Sequence, residues 1–475
     1  MNKTITVLYD NRKEIAQSIQ KIVGPISYGE IIVKKQPLST SMKNIFIDTI
    51  DSRINFINIS NNTINIDLIP QSDIYILIYS NVIIQDYNTF QYILKKLEYL
   101  NSSMAVSPFM YIFNKYNDLC EFTKTDLSLK DDKIGALQSI NNIDGLFLDI
   151  SILNNFLFFI SKGLDTRYFN HISGDDFIIT KTSSNVEKIK KEYNYYHLLP
   201  DHMKIWFIMP FDLQVTSNHA SYKMEKCNTT DLALRYIHNS LSPNELNTIL
   251  DKLFYFIKHR EQQKVSKEQY IDMKEDLYIN KVEARLKLLK NEKDFSIIET
   301  YIKNGTKYED IDHIYKIYYD LYHKHNHKDI FSSFVIGHGD LCFSNILYYS
   351  DSNIMKLIDS KGALSYGELF TNPYYDIAKL SHSICGCYDF FNANLFSIYI
   401  NNNLQLELQI FFNNSQYKTI FKSFLEQYGY DYKLIRIYEA SLFLSMLPLH
   451  MDYPQKVLGF IMNSINILEE IKNDE

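Results

Sequence analysis

Three polar side chains with short apolar runs between them mark the part of this sequence that could do chemistry: Asp340, Asn345 and Asp359. They stand in Val335-Ile-Gly-His338-Gly-Asp340-Leu-Cys-Phe-Ser-Asn345-Ile-Leu347, followed by Met355–Ile358 and then Asp359. Asn345 comes five residues after Asp340, and Asp359 fourteen after Asn345. The pattern predicts two carboxylates and an amide at the ends of short strands. Phosphoryl transfer needs these types. One carboxylate accepts the proton of an attacking hydroxyl, while a carboxylate and an amide oxygen hold a hard divalent cation against nucleotide phosphates.

The order and spacing resemble the catalytic loop and metal-binding Asp of protein kinases. Gly339 stands where those have Arg, and no Phe-Gly follows Asp359. That variation resembles the aminoglycoside phosphotransferase and choline kinase family, whose pattern reads H-G-D-x-x-x-x-N and then I-D. Leu357-Ile358-Asp359 supplies the second part, and Asp376-Ile-Ala378-Lys379-Leu380 resembles the family's D-x-A-x-L helix start. The resemblance spans about 165–475 and is densest over 334–383. It implies a two-lobed kinase-like fold, with ATP as co-substrate, Mg²⁺, and a small-molecule hydroxyl acceptor. Asp340 would be the base, and Asn345 and Asp359 the metal ligands. His338 could be a base but reads better as a buried hydrogen bonder, and Asp376 as a helix cap or a brace for the catalytic loop.

Upstream, Lys181 ends a predicted strand, Phe177–Lys181, and Glu192 follows on a predicted helix, Val186–Leu199. In the kinase architecture such a Lys contacts the α/β-phosphates and is held by a helix Glu. Glu187, five residues earlier, is the competing partner. Gly174 is the only glycine near the expected phosphate loop. Tyr222-Lys-Met224-Glu225-Lys-Cys227 resembles the hinge between lobes, where backbone groups meet the adenine. Past Asp359, the aromatic stretch Gly362–Tyr375 offers Tyr366, Glu368, Tyr374 and Tyr375 as an acceptor lining of the kind a quaternary ammonium would want.

The elements that must carry these residues read as an α+β region preceded by an α/β one. Residues 1–161 show strand-like runs at Ile5–Tyr9, Ile31–Lys34, Ile45–Asp48, Ile54–Ile59, Ile74–Ile78 and Met104–Ser107, with a helical pattern at Phe90–Leu100. Strand, helix and strand from Ile74 to Ser107 suggest a parallel crossover. Residues 162–230 would form a kinase-like N-lobe, with strands at Phe177–Lys181, Ile205–Met209 and Ala220–Glu225. Residues 231–475 would form a mainly helical C-lobe, helical to the end after Tyr375. The dense charge from Lys258 to Lys293 reads as a solvated helix face. Asp73–Ser107 and Asp144–Asn155 resemble sugar-phosphate nucleotidyltransferases. Yet Ser80-Asn81 stands where their metal-binding acid should be, and no glycine occurs between Met1 and Gly24. The resemblance therefore implies a degenerate domain, a platform for dimerisation or a partner enzyme. Asp48, Asp51 and Asp73 remain as an alternative metal set.

Composition sets the outer bounds. The 475 residues carry 49 Lys+Arg against 56 Asp+Glu, a net charge of −7. This argues against a broad nucleic-acid footprint. Hydrophobic residues at 46% and charged ones at 22% are ordinary globular usage. Five cysteines, an odd and small number for the length, argue against a disulfide framework. No signal-peptide pattern opens the chain and no run is long and apolar enough to span a membrane. The expectation is a cytoplasmic enzyme that moves the γ-phosphoryl group of ATP to a sugar or amino alcohol, in surface-polysaccharide biosynthesis. The alternatives are a nucleotide-binding pseudokinase scaffold, a choline/ethanolamine kinase fused to the first domain, and a protein kinase, the last disfavoured by the lack of an A-P-E-type segment.

Overall fold

A computed structural model of the chain describes residues 3–50, 54–60, 68–124, 138–139, 145–163, 170–174 and 177–473. The chain divides into two compact units, Met1–Asp165 and Thr166–Glu475.

The first unit is built on a six-stranded sheet. Its elements are β1 (Ile5–Asp10), α1 (Leu38–Ile50), β2 (Ile54–Ile59), β3 (Ile74–Tyr79), α2 (Tyr87–Lys95), β4 (Met104–Ser107), β5 (Met110–Phe113) and β6 (Gln138–Ser139), with strand order β2-β1-β3-β5-β4-β6. β1 lies parallel to both β2 and β3, with Ile5 opposite Ile54 and Ile74. Buried on both faces, β1 and β3 are near-continuous apolar runs, as parallel strands are. Two expectations of strand are corrected here. Ile45–Asp48 is not a strand: Leu38, Met42, Phe46 and Ile50 recur every four residues, and that helical stripe is the buried face of α1. The run at Ile31–Lys34 shrinks to a two-residue strand, Ile32–Val33, which turns back through Lys34 and Lys35 at positive φ. The Ile74–Ser107 crossover does bring β3 and β4 parallel to each other, with β5 inserted antiparallel between them. The helix itself starts earlier than Phe90, where the Asp86 carboxylate accepts the Thr89 N–H at 3.0 Å.

In the second unit, β7 (Asn170–Gly174), β8 (Ile178–Ser183), α3 (Val186–Leu198), β9 (Pro210–Val215) and β10 (Ala220–Glu225) form an antiparallel sheet, β7-β8-β10-β9, with one helix packed on it. Asn185 caps α3 by accepting the Lys188 N–H. The expected strand at Ile205–Met209 forms instead from Pro210 onward. Proline has no N–H to give a central ladder and is tolerated as the first residue of this edge strand. Phe207 is left to bridge to Leu357.

The larger part of the unit is helical, around α4 (Pro243–Lys258) and α5 (Ile311–His325). It carries short strands β11 (Gln262–Lys264), β12 (Ser333–Ile336), β13 (Ile346–Tyr349), β14 (Ile354–Leu357) and β15 (Phe370–Thr371), then α6 (Tyr375–Ile384), α7 (Tyr432–Met446) and α8 (Pro454–Asn473). The helical run expected after Tyr375 is broken by a hairpin, Ser397–Ile400 with Leu406–Gln409. Its turn is fixed by the Asn401 side chain, which accepts from the amides of Asn403 and Gln405. The tyrosines find their place in this core. Tyr236, Tyr315 and Tyr417 donate to the main-chain carbonyls of Ile384, Leu444 and Leu241, so each ring is buried without stranding its hydroxyl. All five cysteines are free. Among the described residues no helix is long and apolar enough to cross a membrane.

Candidate active site

The loop after β12 turns at Gly339, where φ is +81° and an added Cβ would lie 2.5 Å from the Lys361 side chain. A side chain there meets both a left-handed backbone and a close neighbour, which accounts for Gly between His338 and Asp340. His338 is fully buried. Its Nδ1 accepts the Asp340 N–H at 3.2 Å and its Nε2 donates to the Ile358 carbonyl at 2.9 Å. Burial, opposed by the charges of Asp376 and Asp340, holds its pKa below the usual value. It is a neutral hydrogen bonder linking the Asp340 loop to the residue before Asp359. Asp376, fully buried in the first turn of α6, accepts the amides of His338 at 2.9 Å and Gly339 at 2.7 Å. It therefore braces the loop.

That brace has a partner which sequence reasoning missed. Arg260, at the end of α4, donates to the Asp376 carboxylate at 2.9 Å and to the Pro373 carbonyl at 3.1 Å. Both side chains are inaccessible, so each charge depends on the other. Nothing in the spacing marks Arg260, which lies 116 residues before Asp376.

Asp340 presents a half-exposed carboxylate. Lys379, one helical turn after Asp376, places Nζ 2.9 Å from Asp340 Oδ1. Burial acts to raise the Asp340 pKa, but the Lys379 charge and hydrogen bonding outweigh it and hold the carboxyl below its ordinary value. Lys379 too was passed over; it sits in the quoted Asp376–Leu380 segment as an unmarked position. Asn345 gives its Nδ2 to the Asp340 carbonyl at 2.7 Å, and its own carbonyl accepts the Ile358 amide at 3.0 Å. The loop and the end of β14 are thus tied together immediately before Asp359, a non-glycine residue at φ +55°. Among the described residues no group of three or more His, Cys, Asp or Glu side chains gathers as a cation site.

Lys181 is not the last residue of its strand: β8 runs on to Ser183, with Lys181 opposite Tyr222 of β10. Its Nζ lies 2.9 Å from Glu192 Oε2 and 2.7 Å from Asp359 Oδ1. Tyr222 adds a hydroxyl donated to Glu192 at 3.2 Å. Burial alone would lower the Lys181 pKa; Asp359, Tyr222 and Glu192 together raise it, so the ammonium stays charged. Glu187 faces elsewhere, exposed and paired with Lys191 at 2.7 Å.

A cleft beside this ion pair is lined by Glu192, Tyr195, Phe207, Tyr222, Met224 and Asp359. Tyr195 also anchors the start of the loop after β12 by donating to the Gly337 carbonyl at 3.0 Å. Gly174 closes β7 opposite Ile179; residues 175–176 lie outside the described residues. Glu225 is exposed at the end of β10, opposite Ile178. Cys227 is partly buried, and burial pushes its thiol pKa up. From this segment the side chains that line the cleft are Tyr222 and Met224. The aromatic stretch does not gather into one lining. Tyr374 is buried with its hydroxyl on the Lys328 carbonyl, Tyr375 is capped by Lys281 at 3.1 Å, and exposed Glu368 accepts the Leu364 amide.

No protein-family model matches the chain, and no curated protein matches it. Among solved structures it is similar to a thermostable mutant of the aminoglycoside phosphotransferase APH(4)-Ia, in complex with AMP-PNP and hygromycin B. The identity is 11%, the likeness covers 64% of this chain and 92% of that one, and the TM-score is 0.41. It is also similar to APH(3'')-Id from Streptomyces rimosus, in complex with ADP and streptomycin, at 13% identity over 63% and 98% of the two chains, with TM-score 0.34. A choline/ethanolamine kinase family protein from Mesorhizobium loti follows at 9% identity over 65% and 85%, with TM-score 0.33. The chain is thus similar to the small-molecule phosphotransferases that its motif resembles. At such identities and TM-scores, residue roles rest on the geometry above.

Proposed function

We propose that the Thr166–Glu475 unit transfers the γ-phosphoryl group of ATP to a hydroxyl of a small molecule. The observation that carries this reading is the seat of Lys181 Nζ between Glu192 and Asp359, at 2.9 and 2.7 Å, which joins β8 and α3 to the segment after β14. Lys181 binds the nucleotide phosphates, with Glu192 holding it in place. The ring-lined cleft takes the base. Asp340 accepts the acceptor's proton, and general-base help of this kind contributes roughly 10²–10⁴-fold. His338 and Asp376 hold the loop rigid.

Asn345 and Asp359 fit Mg²⁺. Both offer hard oxygen donors, and the Asn345 Nδ2 is spent on the Asp340 carbonyl, which leaves Oδ1 as its remaining polar atom. Two protein donors suit a cation that completes its shell with phosphate oxygens and water. When bound, the cation offsets phosphate charge and orients the γ-group.

A sugar hydroxyl suits the acceptor better than choline, because Tyr374 and Tyr375 are withdrawn from the open faces that a quaternary ammonium needs. The nucleotidyltransferase-like pattern of residues 1–161 favours surface-polysaccharide precursors, with that region as a platform for a second copy or a partner enzyme. The retained Asp340, Asn345 and Asp359 speak against a pure scaffold. The test is the full chain with γ-labelled ATP, Mg²⁺ and a panel of sugars, sugar phosphates, amino alcohols and aminoglycosides. Label on one acceptor class supports the reading; nucleotide binding with no transfer to any acceptor returns the scaffold.

A further inference from the structure

One face of α6 reads along the catalytic loop residue by residue. Asp376 holds the amides of His338 and Gly339, Lys379 reaches the Asp340 carboxylate, and the Ser383 hydroxyl accepts the Phe343 amide at 3.0 Å. Positions i, i+3 and i+7 share a helix face. The register that seats Asp376 therefore also aims Lys379 at the base. Asp376 and Ser383 hold main-chain amides, which is bracing. Lys379 alone on this face delivers a full charge to a reacting side chain.

Phosphoryl transfer spreads negative charge over the moving group, and fixed positive charge in a sheltered site is what stabilises it. The loop Gly339–Asn345 contains no cationic residue. His338 is buried and neutral. Cys342 is buried, with its thiol 3.9 Å from Asp340 Oδ1 and 3.2 Å from Ser344 Oγ, and burial keeps it protonated. Lys361 crosses over Gly339 but gives its Nζ to the Phe370 carbonyl at 3.3 Å. Lys181, assigned above to the nucleotide phosphates, meets Glu192 and Asp359 rather than Asp340. The Lys379 side chain is 14% exposed against 45% for Asp340. The cation is sheltered while the carboxylate it holds is open to an acceptor.

Resting on the phosphotransfer reading, we propose that Lys379 is a further catalytic residue: it fixes the Asp340 carboxylate and stabilises the transferring phosphoryl group. In that step the acceptor oxygen forms a bond to the γ-phosphorus and the bond from that phosphorus to the β-bridging oxygen breaks. The acceptor proton passes to Asp340, and the electron pair of the broken bond leaves on ADP. Lys379 keeps its protons and acts by charge and position.

The experiment compares wild-type full chain with Lys379→Met, Lys379→Gln and Lys379→Arg. It measures kcat, KM for ATP, and affinity for Mg-ADP with and without aluminium fluoride and acceptor. Removing one such charge stabiliser costs about 10²–10³-fold, so K379M and K379Q should lose about that much kcat. KM for ATP and Mg-ADP affinity should stay within about threefold, since the interaction is made in the transition state. Binding of the aluminium fluoride complex should weaken roughly in step with kcat. K379R should recover about tenfold or more over K379Q, because it keeps the charge. K379Q retains a polar chain of similar reach and answers the question if K379M does not fold. A folded K379Q with wild-type kcat overturns the assignment, and so does an equal loss of Mg-ADP affinity, which would make Lys379 a nucleotide-binding or structural group. Wild-type protein that phosphorylates nothing removes the phosphotransfer reading and this inference with it, whereas active wild type with an unaffected K379Q removes this inference alone.

Discussion

The carboxyl ends of β1 and β3 in the first unit and the His338–Asn345 loop of the second hold similar residue types in different settings. At the end of β1, Asp10 is buried but locked to Arg12, which donates to both carboxylate oxygens at 2.8 and 2.7 Å from two residues away. Beyond β3, Asn81 donates to Asp149 at 2.8 Å, and Ser151 closes on the same oxygen through its amide and hydroxyl. Burial would raise the Asp149 pKa, but these hydrogen bonds hold it low. These polar groups satisfy one another, Asp10 with Arg12 and Asp149 with Ser151 across two positions and Asn81 with Asp149 across 68. In the second unit, Lys181 meets Asp359 across 178 positions and Asp340 meets Lys379 from a different element. Asp10 is closed off, with 4% of its side chain exposed, whereas Asp340 and Asp359 keep 45% and 48% of theirs open. Among the described residues, the alternative acids of the first unit do not gather as a cation site. Asp73 precedes β3, at the opposite end from Asp10, and is taken by the amide and hydroxyl of Thr4 at 2.7 and 2.9 Å. Asp48 lies within α1, and Asp51 is outside the described residues.

The contrast can be broken most sharply at the proposed cation site. Asp359→Ala should lower calorimetric affinity for Mg-ATP by about 100-fold or more, because the carboxylate carries the charge that ties the cation to the phosphates. Equal affinity in mutant and wild type would end the assignment. Next comes the clamp. Lys181→Ala and Glu192→Ala, singly and together, should be non-additive in kcat/KM by roughly 0.5–3 kcal/mol, because the two groups touch. Strict additivity would mean that the 2.9 Å pair does not act as one unit.

A smaller effect is expected in stability. Asp389 is buried, and burial pushes its carboxyl up from 3.8 to about 7. A carboxyl raised on folding binds its proton more tightly in the native state. It costs stability progressively as pH rises from about 4 to about 7 and fully above that. Asp389→Asn should therefore raise the melting temperature at pH 8 and change it little at pH 4. A shift of equal size at both would show that the native carboxyl is not perturbed. The smallest effect on activity belongs to the first unit: Arg12→Ala should leave phosphotransfer unchanged while costing about 1–3 kcal/mol of that unit's stability, as a buried carboxylate loses its donors. A large fall in turnover would contradict the division of labour between the two units.

Much of the site was legible in the sequence because its main parts lie in one short stretch. His338, Asp340, Asn345 and Asp359 are spaced by a loop and two strands, and that spacing survives in the primary structure. Glu192 was readable because a helix follows the Lys181 strand. Arg260 was not, because a buried ion pair formed across 116 positions leaves no periodic trace. Lys379 was not, because a lysine in an amphipathic helix looks the same whether it faces water or a base. In the fold, β1 and β3 were clear from their unbroken apolar runs. Ile45–Asp48 misled because three apolar-rich residues suit a strand locally, and only the four-residue repeat from Leu38 to Ile50 shows the helix. Pairing order in the first sheet could not be read, since the inserted β5 is as short and apolar as its neighbours.

The most direct test of the central claim is to replace the base alone. Asp340→Asn keeps the shape of the side chain and removes the proton acceptor. Turnover with the identified acceptor should fall by about 10²–10⁴-fold while Mg-ATP affinity stays close to wild type. A variant that keeps more than about a tenth of the wild-type rate would contradict general-base catalysis at this loop.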